Sequence, residues 1–271
     1  MTGQETKRLA IMVVLLGFFV IMLDTTIVNV SLVHIGKDLH GTTASLQWVV
    51  DAYTLSFAAL LLSAGTACDR LGSQRIYLFG LILFALFSIA CALSPSMEIL
   101  ISARALQGVG AAMVVPSSLA LISEMYSDHK ERAKIIGLWG AAGGIAAALG
   151  PIIGGALVST TGWRAAFWVN IPIIGVLAIL TISFIPRWGP QASNSFDVLG
   201  QITSIISLSL LTYLVITWGE YGWNTAQLPA LLVVLLCMGL FLIIEWKNPT
   251  PMLPLTLFKT QAFSISSIVG F

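Results

Sequence analysis

AIMVVLLGFFVIMLDTTIVNVSLV, residues 10–33, is an apolar run interrupted by one charged group, Asp24. A bilayer core about 30 Å thick is crossed by roughly 20 apolar residues in a helix, so this stretch predicts a membrane-spanning helix. No small-residue cleavage site follows it, which makes it a retained span and not a signal peptide. Working outward, seven more such runs follow at 46–66, 76–94, 98–122, 134–159, 165–186, 198–218 and 228–246. A ninth starts near Phe263 and stops at Phe271, too short to cross. With 57% hydrophobic and 9% charged residues, the chain lacks the material for a water-facing surface. The expected fold class is all-α, a polytopic transmembrane helical bundle. A net charge of +1 offers nothing to nucleic acid or to acidic partners.

Lysine and arginine orient the bundle. If the amino terminus is inside, the inner segments hold Lys7, Arg8, Arg70, Arg75, Lys130, Arg132, Lys134, Arg187, Lys247 and Lys259, and the outer ones only Lys37 and Arg164. Short cytoplasmic loops keep positive charge, so a multi-pass protein of the cytoplasmic membrane with a cytoplasmic amino terminus is expected. The connection from Arg187 to Asp197, with Gly189, Pro190, Ser193 and Asn194, is a polar break after six helices. The expected domains are a six-helix domain over 1–190, an additional helix pair over 191–247, and a cytoplasmic linker with a truncated ninth helix over 248–271. Pro249, Pro251 and Pro254 mark that linker. Two added helices return the chain to the inside, where a second six-helix domain can follow in the same orientation.

An ionised carboxylate at the depth of Asp24 costs about 2.5–3.5 kcal/mol on insertion scales. Lipid disfavours its charged form and a nearby cation favours it, so such a carboxyl can be set to take up and release a proton. The alternative is a structural acid bonded through Thr25 or Asn29. Asp51, in Trp48-Val49-Val50-Asp51-Ala52-Tyr53, is a candidate cation or substrate site, or else an acid favoured by the positive end of its own helix. Asn29 and Gln107 are further candidates for cation or substrate contact. Arg104 lies inside the fourth run and cannot shed its charge, so it needs a partner, a carbonyl or a wet cavity. Pairing with Asp24 is expected, with Gln107, Gly108 and Ala111 on the same helix face. A purely structural link between helices is the alternative.

The fifth run carries Gly140, Gly144 and Ala148 on one four-residue spacing, Gly143, Ala147, Pro151 and Gly155 on another, and Gly150 and Gly154 on a third. Small residues at this spacing let helix backbones pack closely, and Pro151 permits a bend. Between the second and third runs, Gly65 to Arg75 reads as an inner loop with a tight turn, in which Asp69 ahead of the bases can cap a helix end and form a latch. Glu124, Asp128, Glu131, Glu245, His34 and His40 read as solvated groups, and Trp163, Trp218, Trp223 and Trp246 as interfacial anchors. Cys68, Cys91 and Cys237 show no paired spacing. No phosphate-cradling Gly loop, zinc spacing or serine–base arrangement is present, so no cofactor, metal or enzyme site is nominated.

With these motifs in order, the chain resembles the major facilitator superfamily, in its branch of about fourteen helices, the EmrB/QacA-type drug:proton antiporters. Leu23-Asp24-Thr25-Thr26-Ile27-Val28-Asn29-Val30 is similar to the branch's first-helix signature. Gly65, Asp69, Arg70, Gly72 and Arg75 match the superfamily's loop between helices two and three, with Ser73 and Gln74 departing from its basic pattern. Arg104 to Ala112 resembles the fourth-helix motif linked in the family to proton coupling. Gly144 with Gly150-Pro151-Ile152-Ile153-Gly154-Gly155 resembles the fifth-helix antiporter motif. Trp163-Arg164, Phe167, Asn170 and Pro172 stand as the branch places them before helix six.

The resemblance implies proton-coupled efflux, by antiport, of small amphipathic or cationic drug-like compounds. It makes Asp24 and Arg104 the proton-coupling pair and Gly65, Asp69, Arg70, Gly72 and Arg75 a conformational latch. The implied partners are the small-molecule substrate, protons, the lipid bilayer and a missing carboxy-terminal six-helix domain, without which transport is not expected. An uptake symporter of the same superfamily and a non-transporting membrane receptor or scaffold are the competing readings. The fifth-helix Gly/Pro pattern stands against the first and the membrane charges Asp24 and Arg104 against the second.

Overall fold

In a computed structural model, residues 3–189, 198–222 and 227–247 are described, and all regular structure among them is helical. The helices are α1 (Gly3–Asp38), α2 (Thr43–Leu71), α3 (Ser73–Ala92), α4 (Met97–Met125), α5 (His129–Thr161), α6 (Ala165–Trp168), α7 (Asn170–Phe184), α8 (Val198–Tyr221) and α9 (Leu228–Lys247). Among the described residues, 7 spans are long and apolar enough to cross a membrane, with α6 and α7 together forming one, and Leu228–Ile244 within α9 is a shorter apolar helix. The chain is therefore a multi-pass all-α membrane protein. It divides into two compact units, Met1–Ala192 and Ser193–Phe271. In the second, α8 packs on α9. The expected linker and truncated ninth helix over 248–271 lie outside the described residues, as do Pro190, Ser193, Asn194, Asp197 and Trp223.

The helices outrun the apolar stretches that announce them. α1 covers 36 residues, with Glu5 in its first turn and Lys37 in its last, charges that suit the two ends of the helix dipole. Side chains cap the next starts. Thr42 accepts from the Ser45 N–H at 3.2 Å, and Asp128 accepts from the N–H groups of Lys130 and Glu131 at 3.0 and 2.9 Å. The expected inner loop at Gly65 to Arg75 is mostly helix: α2 continues to Leu71, α3 starts at Ser73, and Gly72 alone joins them. Its φ of 91° lies where side chains are strained, and a Cβ there would approach the Trp188 carbonyl oxygen to 2.8 Å.

In the first unit α4 packs against both α2 and α3, while α1 lies along α5. The core gathers Val14 and Ile21 of α1, Tyr77, Leu81 and Phe84 of α3, Ala111 and Val114 of α4, and Ile174 and Leu177 of α7. Outward faces stay apolar, as Phe79, Ile82, Leu86 and Ile179 show, because their solvent is lipid. The α1–α5 contact uses part of the small-residue pattern. A Cβ on Gly150 would collide with the Thr26 side chain, and one on Gly154 would come within 3.2 Å of the Ile27 Cα, whereas Gly140, Gly144 and Gly155 face open space.

Polar ties close both ends. Ser73 Oγ donates to Glu124 Oε1 at 2.7 Å, and Gln74 Nε2 donates to the carbonyls of Thr181 and Ile185 at 3.2 and 2.9 Å. The two residues that depart from the family's basic pattern thus fasten α3 to α4 and α7, and Glu124 is held instead of simply solvated. Replacing Gln74 with Leu removes both interhelical bonds and should destabilise the unit by about 1 kcal/mol, read as a lower unfolding midpoint in detergent; an unchanged midpoint would show these bonds to be idle. At the other end Trp163 is 4% exposed, and its Nε1 donates to Asp38 Oδ2 at 2.9 Å beside the Arg164–Asp38 ion pair. Trp163 is therefore a buried strut, not an interfacial anchor, while Trp218 and Trp246 are exposed.

Candidate functional site

Four segments deliver polar side chains to one dry point. α1 supplies Asp24, α3 Ser88, α4 Arg104 and Gln107, and α7 Asn170 in its first position; none is more than 1% exposed. Arg104 Nη1 meets Asp24 Oδ2 at 2.7 Å and Gln107 Oε1 at 2.8 Å, and Nε donates to the Val49 carbonyl at 3.2 Å. The guanidinium lies 4.1 Å from the Tyr53 ring centroid and 5.9 Å from that of Phe167. Arg104 Nη2 has no hydrogen-bond partner.

Arg104 can only donate, so it fixes which way the Gln107 amide points: oxygen to Arg104, nitrogen to Asp24 Oδ1 at 3.2 Å and Ser88 Oγ at 3.4 Å. Asn170 Nδ2 reaches Asp24 Oδ1 at 2.7 Å and Ser88 Oγ at 3.0 Å. Both Asp24 oxygens accept, the hydrogen-bonding state of an ionised acid. A buried pair of this kind is held together by mutual need, since removing either charge leaves the other uncompensated in a medium that cannot solvate it. Adding a proton to Asp24 does the same without any mutation.

Of the remaining sequence candidates, Gln107 belongs to this cluster and the others are spread out. Asp51 is half-buried on α2, Asn29 is exposed on α1, and Gln107 is fully buried with its amide divided among Arg104, Asp24 and Ser88. Thr25 bonds its own helix through the Ile21 carbonyl at 3.2 Å, so the acid's partners come from other helices and not from Thr25 or Asn29. Asp69 and Arg75 are exposed, and Gly65 and Arg70 half-buried, on the last turns of α2 and the first of α3. Of the fifth-helix motif, Gly150 and Gly154 seat α5 on α1, while Gly144 and Gly155 are open and Pro151 is exposed. Ser88 and the contact role of Asn170 escaped the sequence reading. Their signal was each being a small polar residue inside an otherwise apolar run. Among the described residues no group of three or more His, Cys, Asp or Glu is placed to hold a metal.

The family model of the Major Facilitator Superfamily matches residues 14–271. The methylenomycin A resistance protein of Bacillus subtilis (strain 168) is 39% identical over 271 residues, covering 99% of this chain and 58% of that protein. The multidrug resistance protein Stp of Mycobacterium tuberculosis is 38% identical over 264 residues, covering 97% of this chain and 49% of that protein. The chain thus spans about half the length of such relatives. A crystal structure of the peptide transporter POT in complex with sulfate superposes with a TM-score of 0.65 at 13% identity, covering 92% of this chain and 57% of that one, and shows the same fold. On the family match and the two relatives, the chain belongs to the Major Facilitator Superfamily.

Proposed function

We propose that this chain supplies one half of a proton-coupled exporter of small amphipathic or cationic drug-like compounds. The observation that carries the reading is the Asp24–Arg104 pair, fully buried and anchored by two amides. The relatives, a resistance protein and a multidrug resistance protein, support the direction and the kind of cargo. While Asp24 is ionised, α1, α4 and α7 are bound through it. A proton arriving on Asp24 cancels the charge Arg104 answers, and the helices can then separate until the proton leaves on the other side. The basic ends of α2 and α3 lie in the cytoplasm in this reading, together with the amino terminus. A second six-helix domain forms the opposite wall and rocks against this one, with Asp69 and its neighbours as the latch between them. For an uncharged substrate one proton moving down about 100 mV releases roughly 2.3 kcal/mol, enough for about a fiftyfold gradient, whereas a monovalent cation exchanged one for one is driven by the pH gradient alone.

The test uses everted vesicles holding the chain completed by a carboxy-terminal domain from a relative. Respiration acidifies the lumen, and ethidium should accumulate inside while the pH gradient falls. Ethidium uptake that survives collapse of that gradient would defeat proton coupling, and absence of uptake would defeat the exporter. The chain without a second domain should move no ethidium.

A further inference from the structure

The Asn170 amide sits as close to Asp24 as the guanidinium of Arg104 does, 2.7 Å in each case. It also touches Ser88 Oγ at 3.0 Å, and Ser88 in turn donates to the Phe167 carbonyl at 3.0 Å. Phe167 belongs to α6 and Asn170 opens α7, so this short chain of bonds bridges the junction between them. The junction is weak from within. Pro172 has no N–H to offer the Trp168 carbonyl, so the helical ladder lacks a rung there. Val169 nonetheless keeps helical angles, φ −61° and ψ −29°, and its N–H bonds the Ala165 carbonyl at 3.0 Å. The segment stays helical at Val169 while being one bond short.

We infer that Asn170 is a positioning residue that transmits the charge state of Asp24 to the α6–α7 junction, an inference that rests on the proton-coupled reading above. With Asp24 ionised, the amide makes a charge-assisted bond and the junction is pinned to α1. When a proton adds to a carboxyl oxygen the charge is gone, the bond from Asn170 loses its charge assistance, and the hold on the junction slackens. The charged and titratable groups facing this point are Arg104 on α4, Cys91 on α3 and Tyr53 on α2. α5 carries none beyond Lys134, and α6 and α7 carry none at all. On the sixth span it is the neutral amide of Asn170 that touches Asp24 directly, whereas Phe167 is reached through Ser88 and the face of Arg104.

Two measurements test this. In the completed carrier, Asn170→Leu, which keeps the branched outline at a larger volume and removes the donor, should lower proton-driven ethidium efflux about tenfold more than it lowers ethidium counterflow in de-energised vesicles. A merely structural role would lower both modes together and overturn the inference. In the 271-residue chain in lipid nanodiscs, amide hydrogen exchange over residues 165–175 should rise at least tenfold in Asn170→Leu and in Ser88→Ala, and unchanged exchange in Asn170→Leu also overturns it. A parent carrier with no proton-linked efflux removes the earlier reading, and this one with it. A proton-linked parent matched by Asn170→Leu in both transport modes removes this one alone.

Discussion

Asp24→Asn abolishes proton-driven efflux from the completed carrier, to at least a hundredfold below the parent, while the protein still reaches the membrane. Asparagine has nearly the same shape, so the loss comes from chemistry: the position no longer takes up and releases a proton. Insertion is spared because it depends on the apolarity of residues 10–33, and a neutral amide makes that run easier to place in lipid. The folded state does suffer. Arg104, 0% exposed, loses the anion it faces at 2.7 Å, and breaking one side of a buried pair costs about 3–5 kcal/mol. Protein amount by immunoblot and ethidium flux, measured together, separate the two effects. Full proton-driven efflux in Asp24→Asn would take Asp24 out of the mechanism. The partner residue is equally particular, because one ammonium cannot serve Val49, Asp24, Gln107 and the Tyr53 face together as the planar guanidinium does.

The second large effect is expected from packing. Gly110→Val should leave almost no folded protein, measured as monodisperse material after extraction. α4 is wedged between α2 and α3, and a Cβ at position 110 would lie 2.6 Å from the Phe84 nitrogen and 2.9 Å from both the Phe84 Cα and the Gly80 oxygen. These are backbone atoms, so no side chain can turn aside. Overpacking usually costs about 1–3 kcal/mol, and a backbone collision in the middle of a three-helix stack exceeds that range. The internal control is Gly144→Ala on α5, where nothing lies within 4 Å of the added carbon and, alanine being the better helix former, the unfolding midpoint should hold or rise slightly. A well-folded Gly110→Val would mean the three helices can spread, which contradicts the close backbone packing of α4 on α3.

The spans and the Asp24–Arg104 pairing were legible in the sequence for the same reason. Lipid makes both long apolar runs and isolated charges conspicuous, and a charge that cannot be neutralised has to find its opposite. What stayed hidden carries no charge. Ser88 and Asn170 stand out as polar residues in apolar runs, but a neutral group can be satisfied by many partners, so the sequence does not say which helices they join. Helix ends were hidden too: Gly65 to Leu71 looked like loop because they are polar, yet a helix does not stop where the lipid does, and only the positive φ of Gly72 ends it. In α5 the spacings proposed three packing faces without choosing among them. The choice came from Thr26 and Ile27 on α1, whose bulk leaves room only for glycine at 150 and a close approach at 154.

A joint made of one residue has no slack. Gly72 lets α2 turn into α3 without any intervening spring, so a tilt imposed on the end of α2 that carries Asp69 and Arg70 must drag α3 along its length. Ser88 rides on that same lever, some four turns away, with its hydroxyl hooked to Phe167. Whatever grips or lets go at the basic rim therefore has a stiff mechanical route to the acid at the centre.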